Sequence, residues 1–342
     1  MSGWRGLTTT LWPIRYKPFH DELLSSWLMR IAHGHGLKAQ TFCNLIFGTR
    51  YQVWNRDVDR LAPAWLIDAL AQGTGVSTQT ALETTLHTYE GQLYRNFRSA
   101  GALQWIQTLH MYHRKRMGYG IQFCPACLRE CEQIYYRRIW RVSFYTVCAQ
   151  HQCMLLDRCP ECGSGISFHR TDVGQYQLEE LAGVLVRCHQ CGLDLSQIEI
   201  SPVLVYDDAS FAFHMKLCTS LYRRCPQDLD LMAVLHHLSK LLLGEHRGLR
   251  LQAHTCQLLD VAPVPAPQRR TSIESLQLLE RHHLMLLIGW LMQDLDQRLN
   301  QARFAKAVHY LHLVRDFPDA PAWYRRITDG MEHKNRRFRP RR

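Results

Sequence analysis

The sequence predicts a mainly α-helical chain broken by a cysteine-rich middle. Three observations predict it. Apolar residues recur at helical spacing before residue 100 and again after Pro202. The cysteines between 124 and 191 fall largely in short pairs. And 342 residues, 46% hydrophobic and 21% charged, are too many for one ordinary core but normal for a folded chain of two or three domains.

The helical elements follow in order. Residues 20–48 read as two helices: Leu24, Trp27, Leu28 and Ile31 share a buried face, Gly34 and Gly36 end the first, and Ala39 to Phe47 begins the second. Residues 60–88 read as another pair. Trp65, Leu66, Ala69 and Leu70 form its apolar stripe, Gly73-Thr74-Gly75 its turn, and Ser77 the N-cap of a helix running to about His87. That order suits a helix-turn-helix, with Thr78, Gln79 and Thr80 placed to reach base edges. It suits a plain helical hairpin at least as well, and Glu83 and Glu90, with no arginine on the proposed reading face, argue against tight sequence-specific DNA binding by this helix. Residues 100–120 also read as helical, with a basic end at Arg114, Lys115 and Arg116, which are candidate nucleic-acid contacts. After Pro202, three segments carry apolar residues three or four apart (DASFAFHMKLCTSLYRR, DLDLMAVLHHLSKLLLG and EHRGLRLQAHTCQLLD). VAPVPAPQ at 261–268 reads as a loop. Thr271 and Glu274 fit a capping box opening a helix to about Gln297, with Leu276, Leu279, Leu287 and Leu291 inside. Asp207-Asp208 reads as a helix cap.

The middle carries four pairs at two-residue spacing: Cys124 and Cys127, Cys148 and His151, Cys159 and Cys162, Cys188 and Cys191. Such a gap lets the backbone fold into a knuckle that aims both donors at one ion. Gly163 and Gly192 follow two of the pairs, where the knuckle favours positive φ. Eight donors fill two closed tetrahedral sites, so two structural Zn2+ are expected. Sequential pairing closes gaps of 20 and 25 residues. It gives Cys124, Cys127, Cys148 and His151 as one site and Cys159, Cys162, Cys188 and Cys191 as the other. Interleaved pairing needs longer closures. Cys131 and Cys153 lie outside the spacing and read as spare thiols. The expected architecture is mainly α with small zinc-ribbon and zinc-knuckle insertions. A helix-turn-helix domain (1–120) precedes a double zinc-finger module (121–200), a helical bundle (201–333) and a basic tail (334–342).

Several functions are excluded. A redox Cys-x-x-Cys occurs once, at a helix start; here the pairs repeat. No His-x-Glu precedes a Pro-Cys-x-x-Cys as a zinc deaminase requires, and no P-loop motif is present. No catalytic residue is assigned. The N-terminus lacks a secretory leader and the longest apolar run, 283–292, is half a membrane span, so an intracellular protein with no membrane partner is expected. The net charge of +11 is uneven: residues 201–342 carry +7, and KNRRFRPRR at 334–342 supplies six positive charges. Lys334, Arg336, Arg337 and Arg339 are therefore candidate phosphate contacts.

The order of motifs resembles the TniQ/TnsD transposition proteins. The similarity rests on Pro18-Phe-His-Asp-Glu22-Leu-Leu-Ser-Ser-Trp27-Leu-Met-Arg30-Ile-Ala32, Phe123-Cys-Pro-Ala-Cys127, the run from Trp140 to Gly163, and Cys188 to Leu193, spanning roughly 13–195. It implies a non-enzymatic adaptor for target-site selection that links a target-bound complex to a TnsC-like AAA+ ATPase. That complex is an RNA-guided Cascade or target DNA itself. The resemblance also implies a homodimer, acting on bacterial DNA in the cytoplasm. A TnsD-like reader of an attachment site, or a stand-alone DNA-binding regulator, is the competing reading.

Overall fold

The computed structural model describes residues 11–49, 51–109, 111–112, 115–116, 119–171, 185–244, 248–265 and 271–336. It is mainly helical; among the described residues the only ladder is a two-residue antiparallel pair, β1 (Met111–Tyr112) with β2 (Lys115–Arg116). The chain divides into two compact units, one of residues 1–89, 108–141 and 156–200, the other of residues 90–107, 142–155 and 201–342.

In the first unit, α1 (Leu24–Gly34) is the central element. Leu24, Trp27, Leu28 and Ile31 are all fully buried, as their spacing predicts. Backbone bonds from Leu23 N–H to Tyr136 O (2.8 Å) and Leu24 N–H to Thr84 O (2.9 Å) anchor the start of the helix. After α2 (Ala39–Phe47) and the single turn α3 (Val58–Leu61), helix α4 (Ala64–Thr74) buries Leu66, Ile67, Leu70 and Ala71. The expected stripe is thus turned. Trp65 is 43% exposed, because its ring meets Tyr51 and Phe47 edge-on at the surface instead of entering the core. The glycines also differ in role. Gly73 is helical and lies against Trp12, whose indole a Cβ would meet at 2.1 Å; only Gly75 takes the left-handed turn, at φ +75°.

Helix α5 (Thr78–Leu82) starts as expected, the Ser77 hydroxyl accepting from Thr80 N–H at 3.0 Å. It stops well before His87. Thr84 and Thr85 donate their hydroxyls to the Ala81 and Leu82 carbonyls (both 2.7 Å), competing with further helical bonds, and a 3-10 turn follows at Leu86–Tyr89. A short helix, α6 (Pro125–Glu130), opens the cysteine-rich part of this unit.

The second unit holds α7 (Asp208–Tyr222), α8 (Leu229–Leu242), α9 (Leu251–Leu259), α10 (Leu278–Gln293), α11 (Leu295–Phe304), α12 (Tyr310–Val314) and α13 (Ala322–Arg336). Asp207 caps α7 by accepting from Ser210 N–H at 2.8 Å. Gly289 of α10 lets α7 approach closely: a Cβ there would lie 2.8 Å from Ser210 O. The capping box opens α10 later than expected, at Gln277 and Glu280. Glu274 is instead buried, accepting from His236 Nε2 (2.8 Å) and Trp105 N–H (2.9 Å). Asp294, at the non-helical φ −152° and ψ 78° with its carboxylate accepting from Gln297 N–H, divides the single helix expected to Gln297 into two. Of the leucines expected inside, Leu287 and Leu291 are buried and Leu279 is 63% exposed.

The helix expected over 100–120 is absent among the described residues. Trp105 sits at φ +65°, Ile106 bridges to Val142, and Ser143 N–H donates to Trp105 O at 2.8 Å. This pairing satisfies backbone groups that a helix would have satisfied locally.

Helices α7 and α10 enclose a histidine relay. His282 Nε2 donates to Leu204 O (2.8 Å), so its Nδ1 accepts from the Thr146 hydroxyl (2.9 Å), whose oxygen takes the His214 Nε2 proton (3.1 Å). Burial depresses His214 and His282, and holds His237 and His283 down to about 4. Their folded values lie below the ordinary 6.5. The unfolded chain therefore takes up protons first as pH falls, and stability drops between pH 6.5 and 4. His237 alone should cost on the order of 2–3 kcal/mol at pH 4.5. Amide exchange in α7, α8 and α10, corrected for intrinsic rates, should accelerate between pH 7 and 4.5; equal protection at both values would refute the acid sensitivity assigned to these buried histidines.

Candidate metal centres

Three of the four pairs fold into one knuckle, wired identically. Cys148 N–H donates to Cys153 O (2.9 Å) and Gln152 N–H to Cys148 O (2.8 Å). Cys159 and Cys188 repeat this with Ser164 and Gly163, and with Leu193 and Gly192, all four bonds at 2.9 Å. Each loop is closed by a β-bridge at the same offset: Val147 with Met154, Arg158 with Gly165, Arg187 with Asp194. The residue after each pair has positive φ: Gly163 at +70°, Gly192 at +77° and Gln152 at +51°. The glycines reveal two of these turns in the sequence; Gln152 conceals the third. The fourth pair differs. Cys124 caps α6, with Pro125 at the first helical position, and its sulfur accepts from Cys127 N–H at 3.4 Å.

The donors gather into two groups. Cys124, Cys127, Cys148 and His151 form one; Cys159, Cys162, Cys188 and Cys191 form the other; within each, the ligand atoms lie within 4.8 Å of one another. Both groups could hold a metal ion, and the pairing is sequential. Their spacing suits a small tetrahedral cation. Zn–S bonds of about 2.3 Å require S···S edges of roughly 3.8 Å, and Cys159–Cys191 and Cys162–Cys188 are both 3.6 Å apart. For one sulfur and one imidazole nitrogen the edge is about 3.5 Å; Cys148 Sγ and His151 Nδ1 are 3.5 Å apart. A disulfide would need about 2.05 Å.

Around the second group, Ser164 Oγ lies 3.2 Å from Cys162 Sγ and 3.3 Å from Cys188 Sγ. Burial opposes the Cys188 thiolate. The Ser164 hydroxyl and the N–H groups of Cys191 and Gln190 outweigh that burial and bring Cys188 down to about 6. No sequence signal marks Ser164 beyond its place after Gly163. Cys131 and Cys153 belong to neither group: Cys131 takes an Arg137 contact at 3.6 Å, and Cys153 is buried.

The two groups differ in access. Cys124, Cys127 and Cys148 are buried, whereas Cys162 and Cys191 are exposed. A metal held by the second group should therefore reach a chromogenic chelator first. Release in two phases of equal amplitude is expected, the fast one missing from Cys191→Ser; a single phase would show that access does not govern release.

The residues expected to contact nucleic acid lie on α5, β2 and α13, with three of them outside the described residues. Thr78 and Gln79 are exposed on α5, but Thr78 Oγ1 lies 3.5 Å from Asp68 Oδ1 and Gln79 Nε2 donates to Glu83 at 3.1 Å. Thr80 hydrogen-bonds the Ser77 cap. Lys115 and Arg116 form β2, and Lys334 and Arg336 end α13. Arg114, Arg337 and Arg339 lie outside the described residues.

The fold and site together define a mainly helical chain with two Cys/His groups that could hold metal ions. Residues 13–155 match the TniQ family model, and this segment belongs to the TniQ family. The match takes in all four donors of the first group. A TniQ domain implies a transposition-associated role in target selection, and the family is non-catalytic. No curated protein matches the chain. No helix among the described residues is long and apolar enough to cross a membrane.

Proposed function

We propose that the chain is a target-selection adaptor in DNA transposition. It joins a target-bound complex, RNA-guided Cascade or target DNA, to a TnsC-like AAA+ regulator and so recruits the transposase. Two structural Zn2+ are held by Cys124, Cys127, Cys148 and His151, and by Cys159, Cys162, Cys188 and Cys191. Four protein donors close each site and leave no position for a catalytic water. One ion joins the 148 knuckle to the start of α6 and the other joins the 159 and 188 knuckles, and the zinc-stiffened segments present surfaces to the partners. The chain acts as a homodimer, and the basic end at Lys334, Arg336, Arg337 and Arg339 contacts phosphates.

The TniQ match, together with a donor geometry that suits closed sites, is the observation that carries this reading. Direct sequence reading by α5 is the weaker alternative, because five residues with Asp68 and Glu83 beside them offer little to a major groove. The test is co-purification with a TnsC-like AAA+ regulator and with an RNA-guided Cascade complex. Retention by both, without a footprint from the isolated protein at physiological salt, supports the adaptor. A footprint on a fixed site with no retention by either assigns the chain to the DNA readers.

A further inference from the structure

At the end of α11, a turn displays an aromatic ring among cations. Phe304 is 71% exposed, the most exposed of the large hydrophobic side chains among the described residues. The Arg303 guanidinium lies 5.0 Å from its ring centroid. Lys306, also exposed, follows at φ +57°. From 297 to 315 the chain contains Arg298, Arg303, Lys306 and Arg315, and no acidic residue. Two neighbours are tied to this turn: Arg250 N–H donates to Ala307 O (2.9 Å), and Arg303 Nη1 donates to Met331 O (3.1 Å), joining the turn to α13.

Two features of the turn lack a folding reason. The helix ends with Lys306 N–H bonded to Arg303 O and Ala307 N–H to Ala302 O, a termination that favours glycine at the left-handed position. A lysine there strains the backbone. The helix dipole does not require it, since Arg303 already places a cation in the last turn. Phe304 likewise leaves its ring in water, although Ala302, Ala307 and Val308 beside it are buried. An exposed ring flanked by cations is what stacking on a nucleobase with neighbouring phosphate contacts requires.

We propose that Phe304, Lys306 and Arg250 form a platform for single-stranded DNA, Phe304 stacking on a base while Lys306 and Arg250 meet adjacent phosphates. The choice of DNA rests on the transposition reading above; the platform itself rests on the turn.

The test uses the full-length, zinc-loaded chain and fluorescein-labelled dT15 in a salt series, with thermal melts alongside. Phe304→Ala should weaken binding about tenfold, within the range for losing one stacked base, and leave the melt unchanged; Phe304→Trp should restore it. Lys306→Gly should raise the melting temperature by relieving the positive φ, while weakening binding and lowering the salt slope by about 0.7. Unchanged affinity in Phe304→Ala, or a lowered melting temperature in Lys306→Gly, overturns the proposal. Tighter binding of rU15 that Phe304→Ala abolishes would assign the surface to RNA and overturn the choice of DNA. Because the readout is direct binding, failure here leaves co-purification with the AAA+ regulator unaffected, and the reverse also holds.

Discussion

Cys159→Ala should release one of two zinc ions and unfold the segment that carries them. Cys159 is fully buried, its carbonyl and N–H close a knuckle, and its sulfur lies 3.6 Å from Cys191. Removing the thiolate opens a closed tetrahedral site. A structural zinc contributes on the order of 10 kcal/mol of apparent folding free energy at neutral pH, comparable to the whole stability of a typical domain, about 5–15 kcal/mol. Cys162 and Cys191 are themselves at the surface, so their side chains add little packing to offset such a loss. Zinc content should fall from two to about one per chain, with protease cleavage appearing between 156 and 200. A variant that melts with the parent chain would mean that the second group is not structural. Cys131→Ala serves as the control: it lies outside both groups and should leave the zinc content unaltered.

Arg141→Ala should also destabilise the chain strongly, without touching a metal ligand. The Arg141 side chain is fully buried, and its guanidinium donates to Asp57 Oδ2 at 2.6 Å and to Asp59 Oδ2 at 3.0 Å. Asp59 in turn accepts from Ser25 N–H (2.7 Å) and Ser25 Oγ (2.9 Å), fastening α1. Burial, with Asp57 beside it, raises the Asp59 carboxyl, and the Arg141 charge opposes that rise. Removing the arginine strands the buried Asp59 carboxylate beside the half-buried Asp57, a change that typically costs 3–5 kcal/mol. Denaturant unfolding should show a loss on the order of 4 kcal/mol. Replacing all three, Arg141→Met with Asp57→Asn and Asp59→Asn, should recover much of it, since no orphaned charge remains. A single variant as stable as the parent would show that the triad is dispensable.

The candidate metal groups were legible in the sequence to an unusual degree, because ligand spacing and knuckle turns are local. Cys-x-x-Cys, with glycine at the following left-handed position, identifies the 159 and 188 knuckles outright. The 148 knuckle has Gln152 in that place, and its likeness to the others shows only in the hydrogen bonds. Helix α1 was legible for the same reason: its apolar spacing is regular and its face is buried on every predicted residue.

What failed depended on distant partners. The basic, apolar stretch 100–120 reads as helix until Val142 and Ser143 supply its backbone bonds. Thr271 and Glu274 fit a capping box, but Glu274 is drawn inward by His236 and Trp105, and the cap falls to Gln277 and Glu280. The spacing of Trp65 fits a core stripe, whereas Tyr51 and Phe47 engage it at the surface. The triad of Asp57, Asp59 and Arg141 has no sequence signature at all, since more than 80 residues separate the arginine from its partners.

Metal content is the most direct test of the proposed scaffold. Elemental analysis of the freshly purified, compact chain should find two zinc ions per molecule. X-ray absorption should show tetrahedral shells averaging 3.5 sulfur and 0.5 nitrogen neighbours, as seven cysteines and one histidine require. A chain that is folded and monodisperse yet carries no transition metal would contradict it.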